Sequence, residues 1–297
     1  MLVLTEITLL GSGDMRSIPQ PGCDCRNCLL AKNQYNFYRC EKRTNFSLLI
    51  RHNNRYTLID AGPMIYAQLL NYYNSFLSFR DIDNILLTHD HFDHVGGIPL
   101  FYGNVKADGR SYELFCLKEV FQEIKSRYDW LFLTKNWKLF EYNEISFFEK
   151  FEIDGLKIMP IPMVHKVPTA GFVISFQSSE GIEKKIAIAT DTKEIKEECK
   201  KFISGADLLF LGTVCEENKF PILLKGFFPD KPFREVFKRE KVDHLTIEEA
   251  KEVYFDLRAK TTIAVHITHG NDTHDELSKR YDTEDFKIGY DGMTFIF

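Results

Sequence analysis

Short apolar runs, each followed at once by polar residues, recur along the chain. Tyr56 to Ile59 precede Asp60-Ala61-Gly62, Ile85 to Leu87 precede Thr88-His89, Ile186 to Ala189 precede Thr190-Asp191, and Thr262 to Val265 precede His266. Each run is rich in Ile, Val or Leu and too short for a helix, so each is expected to be a buried strand with its polar residues at the strand end. Helical patterns lie between some of them: Met64 to Asn74, Leu114 to Arg127, and Thr246 to Ala259. The last carries Glu248 and Glu249 in its first turn, where the helix dipole favours anions. Gly171 to Phe176 reads as further strand. The alternation gives an α/β class, and many strands with few helices favour two stacked sheets flanked by helices over one doubly wound sheet.

Two stretches depart from this pattern. Residues 102–150 are rich in Phe and Tyr and carry Trp130 and Trp137, while residues 216–243 are rich in Lys, Phe and Pro. Both are expected to be insertions on a single domain spanning 1–297, forming walls of a substrate cleft. With 297 residues, 44% of them hydrophobic, the chain can bury a large core, which excludes disorder for most of it. The formal net charge, 38 − 43 = −5, argues against a long sequence-independent grip on nucleic acid but leaves room for a small anionic substrate. No apolar run approaches the ~20 residues that cross a bilayer, and Met1 to Glu6 have no basic region ahead of an apolar stretch. A cytoplasmic protein with no membrane partner is the expectation.

The chemistry concentrates in Thr88-His89-Asp90-His91-Phe92-Asp93-His94, which packs three imidazoles and two carboxylates into six residues after a buried strand. Imidazole nitrogen and carboxylate oxygen suit Zn, Fe or Mn, and one loop can aim alternate side chains at two neighbouring ions. The bland alternative is an exposed polar turn. Val95-Gly96-Gly97 follow, where glycines permit a tight loop-to-helix turn.

This loop resembles the His-x-His-x-Asp-His motif of the metallo-β-lactamase fold superfamily, and Asp60-Ala61-Gly62, His165, Asp191 and His266 are similar to its other motifs in the right order. The resemblance implies an αββα sandwich with a dinuclear metal site along one sheet edge. It implies that His89, His91 and His165 hold one ion, that Asp93, His94 and His266 hold the other, that Asp191 bridges them, and that Asp60 stands behind the ligands. Taken alone, His165 would read as a surface loop histidine, Asp191 as a helix N-cap, and Asp60 as a turn residue.

The seven cysteines do not look like a disulfide framework, since Cys23, Cys25 and Cys28 cluster while Cys40, Cys116, Cys199 and Cys215 scatter. Cys-x-Cys-x-x-Cys lets one turn aim three thiolates at a tetrahedral zinc, and His269, three residues beyond His266, is the candidate fourth ligand. Buried free cysteines are the alternative. The scattered cysteines are expected to pack, and His52 and His274 to lie at the surface.

Together, the cysteine loop, the histidine motif, His266-x-x-His269, Tyr290 to Met293 and His244 to Ala250 are similar to the PhnP-type phosphodiesterases. That resemblance implies a phosphoric diester hydrolase acting on a small cyclic phosphate or nucleotide-like phosphodiester, with two active-site ions (Zn, Mn or Fe), one structural Zn and a homodimer. The attack would come from a hydroxide bridging the two ions, with His244 near the substrate phosphate as hydrogen-bond donor or general acid, and with Asp93 counted beside it among the catalytic groups. The alternatives are a tRNA 3′-end-type endoribonuclease, which shares the ligands and a histidine comparable to His244, and a lactone or thioester hydrolase. A non-enzymatic metal protein is a third class.

Overall fold

The computed structural model describes residues 4–32, 41–72, 77–106, 108–133, 138–219 and 243–297. In chain order the elements are β1 (Glu6–Gly11), α1 (Arg26–Lys32), β2 (Ser47–His52), β3 (Arg55–Ile59), α2 (Ile65–Leu70), β4 (Ile82–Leu86), α3 (Phe92–Val95), β5 (Tyr112–Cys116), α4 (Lys118–Arg127), β6 (Phe140–Glu144), β7 (Phe151–Ile153) and β8 (Leu156–Pro162). They continue with β9 (Ala170–Gln177), β10 (Glu183–Ala189), α5 (Glu197–Ile203), β11 (Leu208–Cys215), β12 (Leu245–Thr246), α6 (Ile247–Leu257), β13 (Thr262–Val265), α7 (His274–Tyr281), β14 (Phe286–Ile288) and β15 (Met293–Ile296).

The strands form two mixed sheets. One has the order β15-β1-β2-β3-β4-β5-β6, the other β14-β13-β11-β10-β9-β8-β7, with β12 pairing β11. Side-chain alternation explains the layering. Ile186 and Ile188 of β10, Leu208 and Phe210 of β11, and Ile263 and Val265 of β13 join the core between the sheets. Their neighbours Ala187, Ala189, Leu209, Leu211 and Ala264 face a second core, shared with Cys199 and Ile203 of α5 and with Ile247, Ala250 and Leu257 of α6. The second sheet is therefore buried on both faces, which accounts for its near-continuous apolar runs. This is the αββα sandwich.

Three expectations change. Leu114 to Arg127 is not one helix: Tyr112, Leu114 and Cys116 are buried in alternation with half-exposed Glu113 and Phe115, a period of two, and the helix begins at Lys118. The helix expected from Met64 ends at Leu70. Part of 102–150 belongs to the sandwich, because β5 and β6 extend the first sheet. Most of 216–243, together with Trp137 and Cys40, lies outside the described residues. α6 starts as its sequence suggests, with a capping box in which Thr246 Oγ1 accepts from Glu249 N and the Glu249 carboxylate accepts from Thr246 N.

Parallel pairing sets where the chemistry falls. β3 and β4 run parallel, as do β10, β11 and β13, so the residues just after them gather along one edge of the sandwich. Ala170 N donates to Thr88 O at 2.8 Å, stitching the second sheet to the histidine loop of the first.

Candidate metal centres

The strand-end residues converge. Donor atoms of His89, His91, His165 and Asp191 all lie within 4.8 Å of one another, as do those of Asp93, His94 and His266. Asp191 stands between the groups: its Oδ2 is 3.5 Å from both His89 Nε2 and His94 Nε2, and its Oδ1 is 3.4 Å from His266 Nε2. His165 Nε2 is 3.2 Å from His91 Nδ1. Asp60, Asp191 and His266, each at the first position beyond or near a strand end, adopt left-handed backbone with φ of 60°, 48° and 63°. Such conformations cost free energy and concentrate where function fixes a side chain.

The surrounding hydrogen bonds fix the imidazoles. Asp60 Oδ1 accepts from Thr88 N and Asp60 Oδ2 from Thr88 Oγ1, both at 2.8 Å, and Oδ2 also accepts from His94 Nδ1 at 2.7 Å. Thr88 Oγ1, its proton committed to Asp60, accepts from His89 Nδ1 at 2.9 Å. These Nδ1 contacts turn the Nε2 atom of both rings inward. The Nε2 atoms of His89 and His94 are buried with no hydrogen-bond partner. Thr88 was not singled out by sequence reasoning, although its place between a strand and the first histidine is the signal.

Electrostatics agree with a cation-binding role for this set. Burial alone would raise Asp93 and Asp191, yet the imidazoles of His94 and His266 outweigh it and hold both carboxyls well below the usual range. Burial opposes a charge on His94, but Asp191, Asp93 and Asp60 overcome it and raise its pKa well above the ordinary value. His89, His91 and His165 are lowered, chiefly by burial. The ionised carboxylates thus favour positive charge at this place, held by His94 and His266, while His89, His91 and His165 stay neutral; a donor set that gathers positive charge fits divalent ions, and the fold implies such ions.

His244 joins this constellation. Its ring stacks on His266 with centroids 4.9 Å apart and 13° between planes, and it lies 5.2 Å from the His165 ring. Burial lowers its pKa to about 3, and its Nδ1 is buried with no hydrogen-bond partner. Asp191, His244 and His266 also have donor atoms within 4.8 Å of one another.

The second cluster assembles as its spacing suggests. Cys23, Cys25, Cys28 and His269 bring their donor atoms within 4.8 Å, with Cys23 Sγ 3.4 Å and Cys25 Sγ 3.5 Å from His269 Nδ1. Burial pushes the Cys28 thiol up to about 12. Asn27, inside the cysteine loop, anchors it: Nδ2 reaches His269 O at 3.2 Å, Asn271 O at 2.8 Å and Asp272 O at 3.1 Å. The three described scattered cysteines, Cys116, Cys199 and Cys215, are all buried.

His52 and His274 are not surface residues. His52 is 4% exposed, its Nδ1 2.7 Å from Thr5 Oγ1 across the β1–β2 edge. His274 is half-buried, and its Nδ1 accepts from the Arg43 guanidinium at 3.1 Å.

A family model described as a beta-lactamase superfamily domain matches residues 55–267. The chain is 26% identical over 293 residues to an octanoyltransferase from Porphyromonas gingivalis, covering 97% of this chain and 51% of that protein, so it spans about half the relative's length. Among solved structures, it is similar to a diphosphatase of the PhnP family, with 23% identity, a TM-score of 0.75, and 99% and 98% of the two chains covered. It is likewise similar to zinc-bound PqqB from Methylobacterium extorquens, with 22% identity, a TM-score of 0.74, and 98% and 99% covered. These structural likenesses speak to the fold. Among the described residues, no helix is long and apolar enough to cross a membrane. With the family model running from β3 through His266 and two mixed sheets layered as an αββα sandwich, the chain belongs to the metallo-β-lactamase superfamily.

Proposed function

We propose that the protein is a metal-dependent phosphodiesterase acting on a small cyclic phosphate or nucleotide-like phosphodiester in the cytoplasm. The observation that carries this reading is His244 beside the two donor groups, an imidazole N–H donor within reach of a phosphoryl oxygen held there. His89, His91 and His165 would hold one ion, Asp93, His94 and His266 the other, and Asp191 would lie between them. Cys23, Cys25, Cys28 and His269 would hold a structural zinc. When bound, the active-site pair supplies Lewis acidity toward phosphoryl oxygen and a water of lowered pKa, the two demands of diester hydrolysis at neutral pH.

The chain's own residues position that chemistry. Asp60 and Thr88 hold the rings of His94 and His89 by their Nδ1 atoms, so that both Nε2 atoms face the ion sites before substrate arrives. His244, rigidly stacked on His266, would donate a hydrogen bond to the phosphate as charge builds on its oxygens. The cysteine cluster would pin the N-terminal loop to the segment that also carries His266, through His269 three residues on.

Metal content of the wild type and of Cys25→Ser, together with hydrolysis of bis(p-nitrophenyl) phosphate, tests the reading. About three ions per chain, falling by one in the variant, with diester cleavage by both metal-loaded proteins, is the expected result. Bound metal without diester cleavage sinks the phosphodiesterase assignment. The similarity to half of an octanoyltransferase then makes acyl thioesters the next substrates to try, with lactones and a tRNA precursor beside them.

A further inference from the structure

We propose that Arg127 is a positioning residue for the histidine loop: its guanidinium fixes Asp90 and thereby the aim of His89 and His91. The proposal rests on the reading of these histidines as ligands. Arg127 ends α4, within the aromatic-rich stretch that sequence analysis left without chemistry. Its NH1 donates to Asp90 O at 2.5 Å and its NH2 to Asp90 Oδ2, with Glu123 Oε2 3.4 Å from the same nitrogen. One side chain thus takes both the peptide carbonyl and the carboxylate of the residue between the two histidines.

The geometry makes this grip consequential. Asp90 is 6% exposed, and His91 behind it has extended backbone, with φ −63° and ψ 149°. Asp90 shares a peptide bond with each histidine, so a clamp on its carbonyl and its carboxylate restrains the backbone from which both imidazoles project. Those rings stand 4.6 Å apart at 73°, and both belong to the group shared with His165 and Asp191. A planar guanidinium makes two directed contacts where an ammonium makes one point contact, so Lys is a partial substitute. Partners one shell behind metal ligands set affinity by roughly 10- to 100-fold.

The test is competition between the zinc-loaded protein and a chromophoric chelator, for wild type, Arg127→Ala, Arg127→Lys, Asp90→Asn and the Arg127→Ala/Asp90→Asn double variant. Arg127→Ala is expected to weaken one zinc of the histidine–aspartate groups by about 10- to 100-fold. Arg127→Lys should lose less, and the double variant no more than the worse single one, while the zinc of the cysteine cluster keeps its affinity. Wild-type affinity for every zinc in Arg127→Ala, or equal weakening at the cysteine cluster, overturns the proposal. If Arg127→Ala does not fold, Arg127→Lys and Asp90→Asn decide: weakened zinc supports the role and unchanged zinc overturns it. Wild type that binds no zinc at the histidines removes the ligand reading and this role with it. The measurement uses no substrate, so failure of the phosphodiester assignment leaves it standing.

Discussion

Asp60 Oδ2 lies 2.7 Å from His94 Nδ1, with both side chains fully buried and Asp60 held at a φ of 60°. Asn tolerates that backbone conformation, so Asp60→Asn changes the chemistry and spares the turn. Its amide cannot serve Thr88 N, Thr88 Oγ1 and His94 Nδ1 together, as the carboxylate does. Zinc affinity at the Asp93, His94 and His266 group should fall by roughly 10- to 100-fold, read by chelator competition. Unaltered affinity removes Asp60 from the support of that site.

Gly62 and Asp93 touch backbone to backbone. A Cβ on Gly62 would sit 2.1 Å from Asp93 O, in the turn that carries a candidate ligand. Gly62→Ala should destabilise the fold by about 1–3 kcal/mol or more in urea unfolding, and lower zinc occupancy at the same time. Wild-type stability would show that this contact relaxes freely.

Asn27→Ala removes an amide that faces three carbonyls of the 269–272 loop. A loss of about 1–3 kcal/mol in thermal or urea unfolding is expected, because those acceptors are left unserved in a largely buried place. A change inside experimental error would mean that the cysteine cluster holds the loop without Asn27.

His244→Ala should lower kcat by about 10²-fold while leaving bound metal unchanged, the pattern of a donor that serves the reacting phosphate. Loss of an ion in this variant would instead make His244 a ligand, in line with its closeness to Asp191 and His266. Full activity with full metal content dismisses it from the reaction.

His274 provides a pH signature away from the metals. Burial and the Arg43 guanidinium lower its pKa to about 3, and the Tyr290 ring and Ser278 hydroxyl complete its surroundings. An unfolded histidine binds a proton near pH 6.5, so between there and pH 3 the unfolded chain holds the extra proton. His274 therefore contributes a fall in stability as pH drops through that window and none above it. In His274→Asn, whose side-chain oxygen can accept from Arg43, urea unfolding from pH 7 to 4 should show a shallower decline. An identical slope would mean that the folded protein protonates His274 without penalty.

The layered fold is legible because the central strands of the second sheet, β11, β13 and the second half of β10, are buried on both faces and leave apolar runs. The error at Leu114 has a simple source: the apolar residues of a half-buried strand fall in step with Val120 and Ile124 of the helix that follows, and periodicity alone cannot see the boundary at Leu117. The candidate ligands His89 to His94 are legible by their density, whereas His165, Asp191 and His266 stand alone in the sequence and are legible only through the family resemblance. Arg127 is not legible, since its partner is 37 positions away and neither residue type is unusual. Gly97 is needed for space and not for turn freedom. Its φ is an ordinary −90°, and what it needs is room, because a Cβ there would meet Gly62 O at 2.3 Å. Nothing in the sequence around His52 and His274 announces Thr5 or Arg43, so sequence alone places both at the surface.

The convergent donors come from both halves of the sandwich: His89, His91, Asp93 and His94 follow β4 of one sheet, while His165, Asp191 and His266 follow β8, β10 and β13 of the other. No half-built chain can hold even one complete group, since the first closes only with Asp191 and the second only with His266. Either donor group is therefore complete only once the two sheets have met. Ions captured there would rivet the two sheets across their shared edge, and chelation would loosen the whole sandwich as well as its chemistry.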